Sequence, residues 1–169
     1  MYNKFPSKNF DDYWVFVESK KNNHNYSPKS GKWLIFVDIN NLDFFWKKIA
    51  DATEKGLLGL SSKSSTSKKN PNAPNQNIKV ICIYTYNSDD IKDVSRIAWN
   101  LYKLGVVGKV LNYKEDKTTI DNKYANKGNK NISKYSISIN SFEKCNNLNE
   151  FRDLFKCKYL KDRKIIEYW

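Results

Sequence analysis

The order of apolar and polar positions predicts strands and helices that alternate through the middle of the chain. Residues 32–37 and 78–86 are nearly continuous apolar segments, typical of strands covered on both faces, and 78–86 is the stronger, central strand. Shorter or alternating apolar runs predict further strands, the weakest of them at 57–63, and the set is 13–17, 57–63, 109–114, 135–139 and 164–169.

Apolar residues also recur at helical spacing in three segments. The first helix is predicted to begin after Asn40 or Asn41 and to end at Gly56, and the second to begin after Ser88 and to end at Gly105. A third, short helix is predicted around residues 148–155. We therefore expect an α+β fold in which two or three helices pack on one face of a sheet.

The length of 169 residues suits one domain, residues 1–169. Within it, residues 64–77 are almost all Ser, Thr, Lys, Asn and Pro, so we expect a mobile loop there. No apolar run approaches the roughly 18 residues that cross a bilayer, and residues 1–6 lack the apolar segment of a secretion signal. We expect an intracellular, cytoplasmic protein with no membrane partner.

The net charge of +12 suggests nucleic acid as a partner, but its composition weakens that interpretation. Only three of the 30 basic residues are arginine, the residue that recognises phosphates and base edges bidentately. Lysine, asparagine, isoleucine and tyrosine have A/T-rich codons, so a biased genome accounts for much of this charge. The position of individual lysines is therefore more informative than their total.

The cysteines and the histidine do not predict a metal site. Cys82, Cys145 and Cys157 are widely spaced, and His24 lies in a polar stretch, whereas a structural zinc site needs about four clustered ligands. Cys82 lies inside the strongest apolar run and is interpreted as a buried thiol. We expect no metal and no cofactor.

Four segments of the chain, taken in order, resemble the uncharacterised family of the basophilic-leukaemia-expressed protein. The family pattern contains GKW before an apolar run, AKVST, VICVYT with DVxRV, and LGV followed by YKxD, T and GxY. The resembling segments here span about residues 31 to 124, and they are 31–37, 62–66, 81–85 with 93–97, and 104–106 with 113–116. Two departures are Ser62-Lys63-Ser64-Ser65-Thr66 in place of AKVST, and Asn122 in place of the last glycine, which a left-handed turn tolerates.

The resemblance implies a curved, mainly antiparallel sheet with helices on its convex side, similar to the mRNA cap-binding initiation factor. It implies no settled activity, although family members also carry a phosphothreonine-lyase-like label. The polar residues within the resembling motifs are the candidate ligand-binding residues Lys32, Lys63, Ser65, Thr66, Arg96, Tyr113, Lys114, Thr119 and Tyr124.

Cations and hydroxyls at strand ends and helix faces are what a phosphate pocket requires. We expect Lys63, Arg96 and Lys114 to converge on an anionic ligand, such as a nucleotide or RNA. The alternative is that Arg96 and Lys114 are solvated or form ion pairs with Asp93 and Asp116.

Two further hypotheses concern chemistry and stacking. In the lyase hypothesis Lys63 is the catalytic base, but Leu34 stands where the lyases have their histidine acid. In the stacking hypothesis Trp14 and Trp33 clamp a base or a cap. The expected function is thus binding of a phosphate-bearing ligand, with a lyase-like enzyme or an interaction protein that has no small-ligand site as alternatives.

Overall fold

The described part of the chain contains six strands. A computed structural model describes residues 5–21, 23–117 and 133–160. The strands are β1 (Trp14–Glu18), β2 (Gly31–Asp38), β3 (Ser61–Ser65), β4 (Ile78–Thr85), β5 (Val110–Glu115) and β6 (Tyr135–Ser138). They form one sheet in the order β1-β3-β4-β2-β5-β6, with antiparallel pairing between all neighbours. The strand predicted at 164–169 and the candidate residues Thr119 and Tyr124 lie outside the described residues.

Four α-helices lie in the same described residues: α1 (Leu42–Glu54), α2 (Ile91–Lys103), α3 (Ile139–Glu143) and α4 (Leu148–Tyr159). The three predicted helices correspond to α1, α2 and α4, and the five-residue α3 was not predicted. Gly56 and Gly105 follow α1 and α2 with φ of 77° and 70°, the left-handed conformation expected of helix-ending glycines. The predicted α+β fold with a curved, mainly antiparallel sheet is confirmed.

The three longer helices pack on one face of the sheet, and the core lies between them and the strands. Trp33 of β2 is fully buried there, and its indole N–H donates to the carbonyl of Val94 in α2 at 3.1 Å. Its ring also meets Phe155 of α4 edge to face. At the other end of the sheet, the hydroxyl of Ser62 in β3 lies 2.7 Å from that of Thr53 in α1. Alternate residues of each strand therefore face the helices, and the others face away.

The third strand in chain order lies further along the sequence, among more polar residues, than the strand predicted there. The prediction placed it at residues 57–63 on the strength of three leucines, but β3 is Ser61–Ser65, so residues 64 and 65 belong to the sheet rather than to the connection. Serines fit here because the buried Ser62 and Ser64 lie beneath α1, where the Ser62 hydroxyl has a polar partner. Leu58 enters the core from the connection that precedes the strand.

The start of α2 also differs from the prediction. Asp90, not Ser88, caps the helix by accepting a hydrogen bond from the backbone N–H of Asp93 at 3.1 Å. Ser88 instead donates to the carboxylate of Glu115 in β5 at 2.8 Å and ties the helix start to the sheet. Cys82 is buried, as predicted. No helix among residues 5–21, 23–117 and 133–160 combines the length and apolarity needed to span a membrane.

Candidate functional site

Three lysines project from the face of the sheet that faces away from the helices. The strand register pairs Lys32 of β2 with Tyr84 of β4 and with Lys114 of β5, and pairs Lys63 of β3 with Cys82 of β4. Paired residues lie on the same side of a sheet, and each of these alternates with residues that face the helices. We call Lys32, Lys63 and Lys114 the lysine cluster, and this side of the sheet the helix-free face.

Lys32 and Lys114 lie directly opposite each other, an arrangement that is unfavourable for like charges. Asp116, two residues after Lys114, offsets part of this repulsion: its Oδ1 lies 2.6 Å from Nζ of Lys32. Lys32 and Lys114 are both buried. The Lys32–Asp116 ion pair is shielded from solvent, with side-chain exposures of 9% for Lys32 and 24% for Asp116. Burial, and next the charge of Lys32, lower the pKa of Lys114 from its ordinary value.

Lys63 occupies a different environment from the other two lysines. Its Nζ lies 4.0 Å from the ring centroid of Trp14 in β1 and 5.6 Å from that of Tyr84, so its neighbours are aromatic faces. No carboxylate of the described residues lies within 4.0 Å of this ammonium. Burial lowers the pKa of Lys63, and the charge of Lys32 lowers it further.

The groups beneath the lysines are uncharged at neutral pH. Burial raises the pKa of the Cys82 thiol to about 11, so this cysteine stays protonated and is not a nucleophile. Burial also raises the pKa of Tyr84 well above its ordinary value. Tyr26, from the connection between β1 and β2, packs edge to face against Tyr84 and hydrogen-bonds Ser61. The lysine cluster thus lies on a neutral, largely aromatic floor, which screens its charges less than water does.

Arg96 does not join the lysine cluster. It lies on α2, on the other side of the sheet, where its Nη2 contacts Asp93 at 2.7 Å. The same guanidinium donates to the carbonyls of Leu57 at 2.9 Å and Leu58 at 3.2 Å. The expected convergence of Lys63, Arg96 and Lys114 is therefore corrected: Arg96 holds the connection between α1 and β3, as in the ion-pair alternative, and Lys32 takes its place in the cluster.

Two aromatic candidates belong to the core. Trp33 cannot form a stacking clamp with Trp14, because it is fully buried on the helix side while Trp14 lies on the helix-free face. Tyr113 is likewise fully buried, and its hydroxyl hydrogen-bonds that of Thr85. The ring of Tyr113 fills the space that a Cβ at Gly31 would need, which explains a glycine at the start of β2.

The two hydroxyl candidates after Lys63 have structural partners. Ser65 accepts a hydrogen bond from the backbone N–H of Val80 at 2.9 Å, which continues the pairing of β3 with β4. Thr66 is buried, and its hydroxyl donates to the carbonyl of Asp12, which holds the segment before β1 against the end of β3. Both hydroxyls are thus used within the fold.

Asp116, Tyr84 and Tyr26 are not among the residues that the sequence predicts for the site. Strand alternation is a signal that could have found Tyr84, because it falls two residues after Cys82 within one strand. The contact of Asp116 with Lys32 and that of Tyr26 with Ser61 span 84 and 35 positions of the chain and depend on the sheet order. Sequence spacing carries no information about either contact.

The segment that builds this site also decides the family. A family model described as basophilic leukemia-expressed protein Bles03 matches residues 19–120, which is more than half of the chain. The chain belongs to the Bles03 family. The predicted resemblance is therefore confirmed, and the match includes β2, β3, β4 and β5 with all three members of the lysine cluster. A comparison with functionally curated proteins finds no match.

Solved structures similar to this Bles03-family chain include eIF4E proteins in complex with a cap or a cap analog. Ascaris suum eIF4E-3 with the m2,2,7G cap is 20% identical over 53% of this chain and 52% of its own, with a TM-score of 0.41. C. elegans eIF4E-3 with the 4E-binding protein Mextli and a cap analog is 17% identical over 64% and 65%, with a TM-score of 0.47. A schistosome eIF4E with m7GpppG and 4E-BP is 12% identical over 64% and 59%, with a TM-score of 0.48. The matched part spans between about half and two thirds of those chains.

Proposed function

We propose that the helix-free face binds a phosphate-bearing ligand, a nucleotide or an RNA, through the lysine cluster. The observation that carries this proposal is the state of Lys63, whose ammonium is half-buried against Trp14 without a carboxylate of the described residues in ion-pair distance. A shielded cation beside a second cation is costly for the fold, because both charges lose solvation and repel each other. An anion bound between them offsets that cost.

The position of the three ammonium groups supports phosphate over a single carboxylate. They come from β3, β2 and β5, and so extend across the width of the sheet rather than along one strand. A phosphate group offers several anionic oxygens that separate donors can reach, and lysine contacts it as a point charge. Asp116 pairs with Lys32, whereas no carboxylate of the described residues lies within 4.0 Å of the Lys63 ammonium.

A substitution that compares two lysines tests this function. Lys63→Met removes one of the three charges of the cluster, and the control Lys47→Met removes one charge from the outer surface of α1, where Lys47 pairs with Asp51 at 3.1 Å. We expect Lys63→Met to weaken binding of ribose 5-phosphate and of a 5′-phosphorylated RNA hexamer by about ten- to hundredfold, the value of a hydrogen bond to a charged group. Lys47→Met is expected to leave both affinities within about twofold.

The salt dependence separates a site from the general charge of a +12 protein. Loss of one phosphate contact reduces the slope of log affinity against log salt by about 0.7 for single strands. We expect that change in Lys63→Met and not in Lys47→Met, measured by fluorescence anisotropy of the labelled hexamer. Equal effects of the two variants would mean that binding follows total charge, and the proposed site would be wrong.

A second candidate function is elimination of phosphate from phosphothreonine, favoured by the lowered pKa of Lys63. In that reaction neutral Lys63 takes the α-proton, the Cβ–O bond breaks as a carbon–carbon double bond forms, and an acid protonates the leaving phosphate. Leu34, two residues after Lys32 on the same face, stands where the lyases place their histidine acid. Incubation with a phosphothreonine peptide tests it: release of phosphate that disappears in Lys63→Met supports the lyase, and no release by the unmodified protein excludes it.

A further inference from the structure

A cleft lies at the start of β1, where Trp14 lines it and also contacts Lys63 of the lysine cluster. The cleft has a volume of about 370 Å³ and is lined by Phe5, Asn9, Asp12, Trp14, Val15 and Phe16. This volume falls within the range of small-ligand pockets, roughly 300–1,000 Å³. Trp14 lines the cleft, and its ring centroid lies 4.0 Å from the ammonium of Lys63. Trp14 therefore connects the cleft with the ammonium of Lys63.

The lining of the cleft combines aromatic rings with one carboxylate. Phe5 is 54% exposed although its ring is apolar, and Trp14 is half-buried. Asn9 organises the polar side: its Oδ1 accepts from the backbone N–H groups of Asp11 and Asp12, and its Nδ2 donates to Oδ2 of Asp12 at 3.2 Å. These bonds orient the carboxylate of Asp12, one of the residues that line the cleft.

We propose that this cleft takes the base of a nucleotide whose phosphate is held by Lys63, and that Asp12 selects bases with an exocyclic amino group. The inference rests on the proposed function, since the phosphate is held by the lysine cluster. Aromatic faces stack with any base, and a carboxylate accepts a hydrogen bond from an amino group such as N4 of cytosine. Uracil has a carbonyl at that position, so it places an acceptor against the carboxylate. A free mononucleotide and the 5′ end of an RNA share this chemistry.

The inference is tested with three ligands that differ from one another in a single feature. Cytidine 5′-monophosphate and uridine 5′-monophosphate differ at the base edge, and ribose 5-phosphate lacks the base. We expect the cytidine compound to bind at least about fivefold more tightly than the uridine compound, and stacking to add about five- to hundredfold over ribose 5-phosphate. Isothermal titration calorimetry at fixed salt measures all three, and 5′-phosphorylated C6 and U6 hexamers distinguish an RNA end from a free mononucleotide.

Variants of the cleft separate stacking from charge. Phe5→Leu and Trp14→Leu are expected to lower cytidine monophosphate affinity to that of ribose 5-phosphate, whereas Trp14→Phe retains most of it because the aromatic face remains. Asp12→Asn is expected to abolish the preference for cytidine over uridine. The matched control is Phe44→Leu, at a residue on α1 that is 63% exposed and does not line the cleft. It is expected to change none of the affinities.

The outcomes keep the two proposals apart. If all three ligands bind equally and Lys63→Met weakens each of them, the phosphate site stands and the base cleft is wrong. If none binds, or if Lys63→Met and Lys47→Met act alike, the phosphate site is wrong and the base cleft with it. A preference for cytidine that survives Asp12→Asn would overturn the role of Asp12. Circular dichroism of each variant establishes that the fold is retained before the affinities are compared.

Discussion

Asp116→Asn is expected to act in opposite directions on stability and on binding. The carboxylate forms an ion pair with Lys32, with 2.6 Å between Oδ1 and Nζ, and so places a negative charge against the lysine cluster. Asparagine keeps the size of the side chain and one carbonyl acceptor, so the substitution removes charge with little change of packing. The fold loses an ion pair, while an incoming anion loses a repulsive neighbour.

The expected loss of stability follows from the burial of the pair. An exposed ion pair contributes about 0.2–1 kcal/mol, and breaking a fully buried one costs about 3–5 kcal/mol. With side-chain exposures of 9% and 24%, the Lys32–Asp116 pair lies between these limits, and the retained carbonyl offsets part of the loss. We expect the free energy of unfolding to fall by about 1–2 kcal/mol. The control Asp51→Asn, in an exposed pair one helical turn apart, is expected to cost under about 0.5 kcal/mol.

The expected gain in anion binding follows from Coulomb's law. For an anion about 7 Å from the removed charge, an effective dielectric constant between about 20 and 80 gives about 0.6–2.4 kcal/mol of relieved repulsion. Affinity for ribose 5-phosphate should rise about threefold to fiftyfold, and more at low salt than at high salt. A lysine cluster that served only as structure would show the loss of stability without any gain in affinity.

Urea unfolding and calorimetric titration measure the two effects on the same preparation. The loss of stability should appear as a lower midpoint with an unchanged slope, since the surface exposed on unfolding is the same. If Asp116→Asn is no more destabilising than Asp51→Asn, the Lys32–Asp116 ion pair is worth no more to the fold than the exposed Lys47–Asp51 pair, and the argument from burial is wrong. If the affinity for ribose 5-phosphate falls or stays constant, the anion does not lie against the lysine cluster.

Three further predictions concern residues whose roles the structure separates. Because Lys63 has a lowered pKa, the unfolded state binds more protons than the folded one between the folded pKa and about 10.5, so this lysine makes stability rise with pH there. Urea midpoints from pH 8 to 10.5 should show that Lys63→Met loses this rise, and an unchanged profile would contradict the lowered pKa. Tyr113→Phe should lower the free energy of unfolding by about 1–2 kcal/mol, because the buried Thr85 hydroxyl keeps only its 3.5 Å contact with the carbonyl of Gly31. It should leave ribose 5-phosphate affinity unchanged, and reduced affinity in a stable variant would return Tyr113 to the site. Arg96→Met should lower thermal stability by removing donors to the carbonyls of Leu57 and Leu58, by about 1–3 kcal/mol, again with unchanged affinity, and weaker binding would restore Arg96 as a ligand residue.

The apolar pattern alone determined most of the strands and the three main helices. The nearly continuous apolar run at residues 78–86 predicted an interior strand, and β4 does lie between β3 and β2. The expected cover on both faces was wrong, because the helices pack on one face only and Ile78 is 41% exposed. Helical spacing and the glycines at 56 and 105 likewise act locally. The motifs in residues 31 to 124 were also sufficient to predict the family. The pattern failed at β3, because its serines are buried by contact with α1 rather than by their own hydrophobicity.

The candidate site was decided by the tertiary structure. Lys32, Lys63 and Lys114 come from strands that are distant in sequence, and they share a face only because β3, β4, β2 and β5 are neighbours in this register. Arg96 has the same charge and a similar place in the motifs, yet the side of the sheet on which its helix packs removes it from the cluster. A sequence records which residues carry charge. The face to which a charge points, and the partner that neutralises it, depend on strand order and register, which are set by contacts across the whole chain.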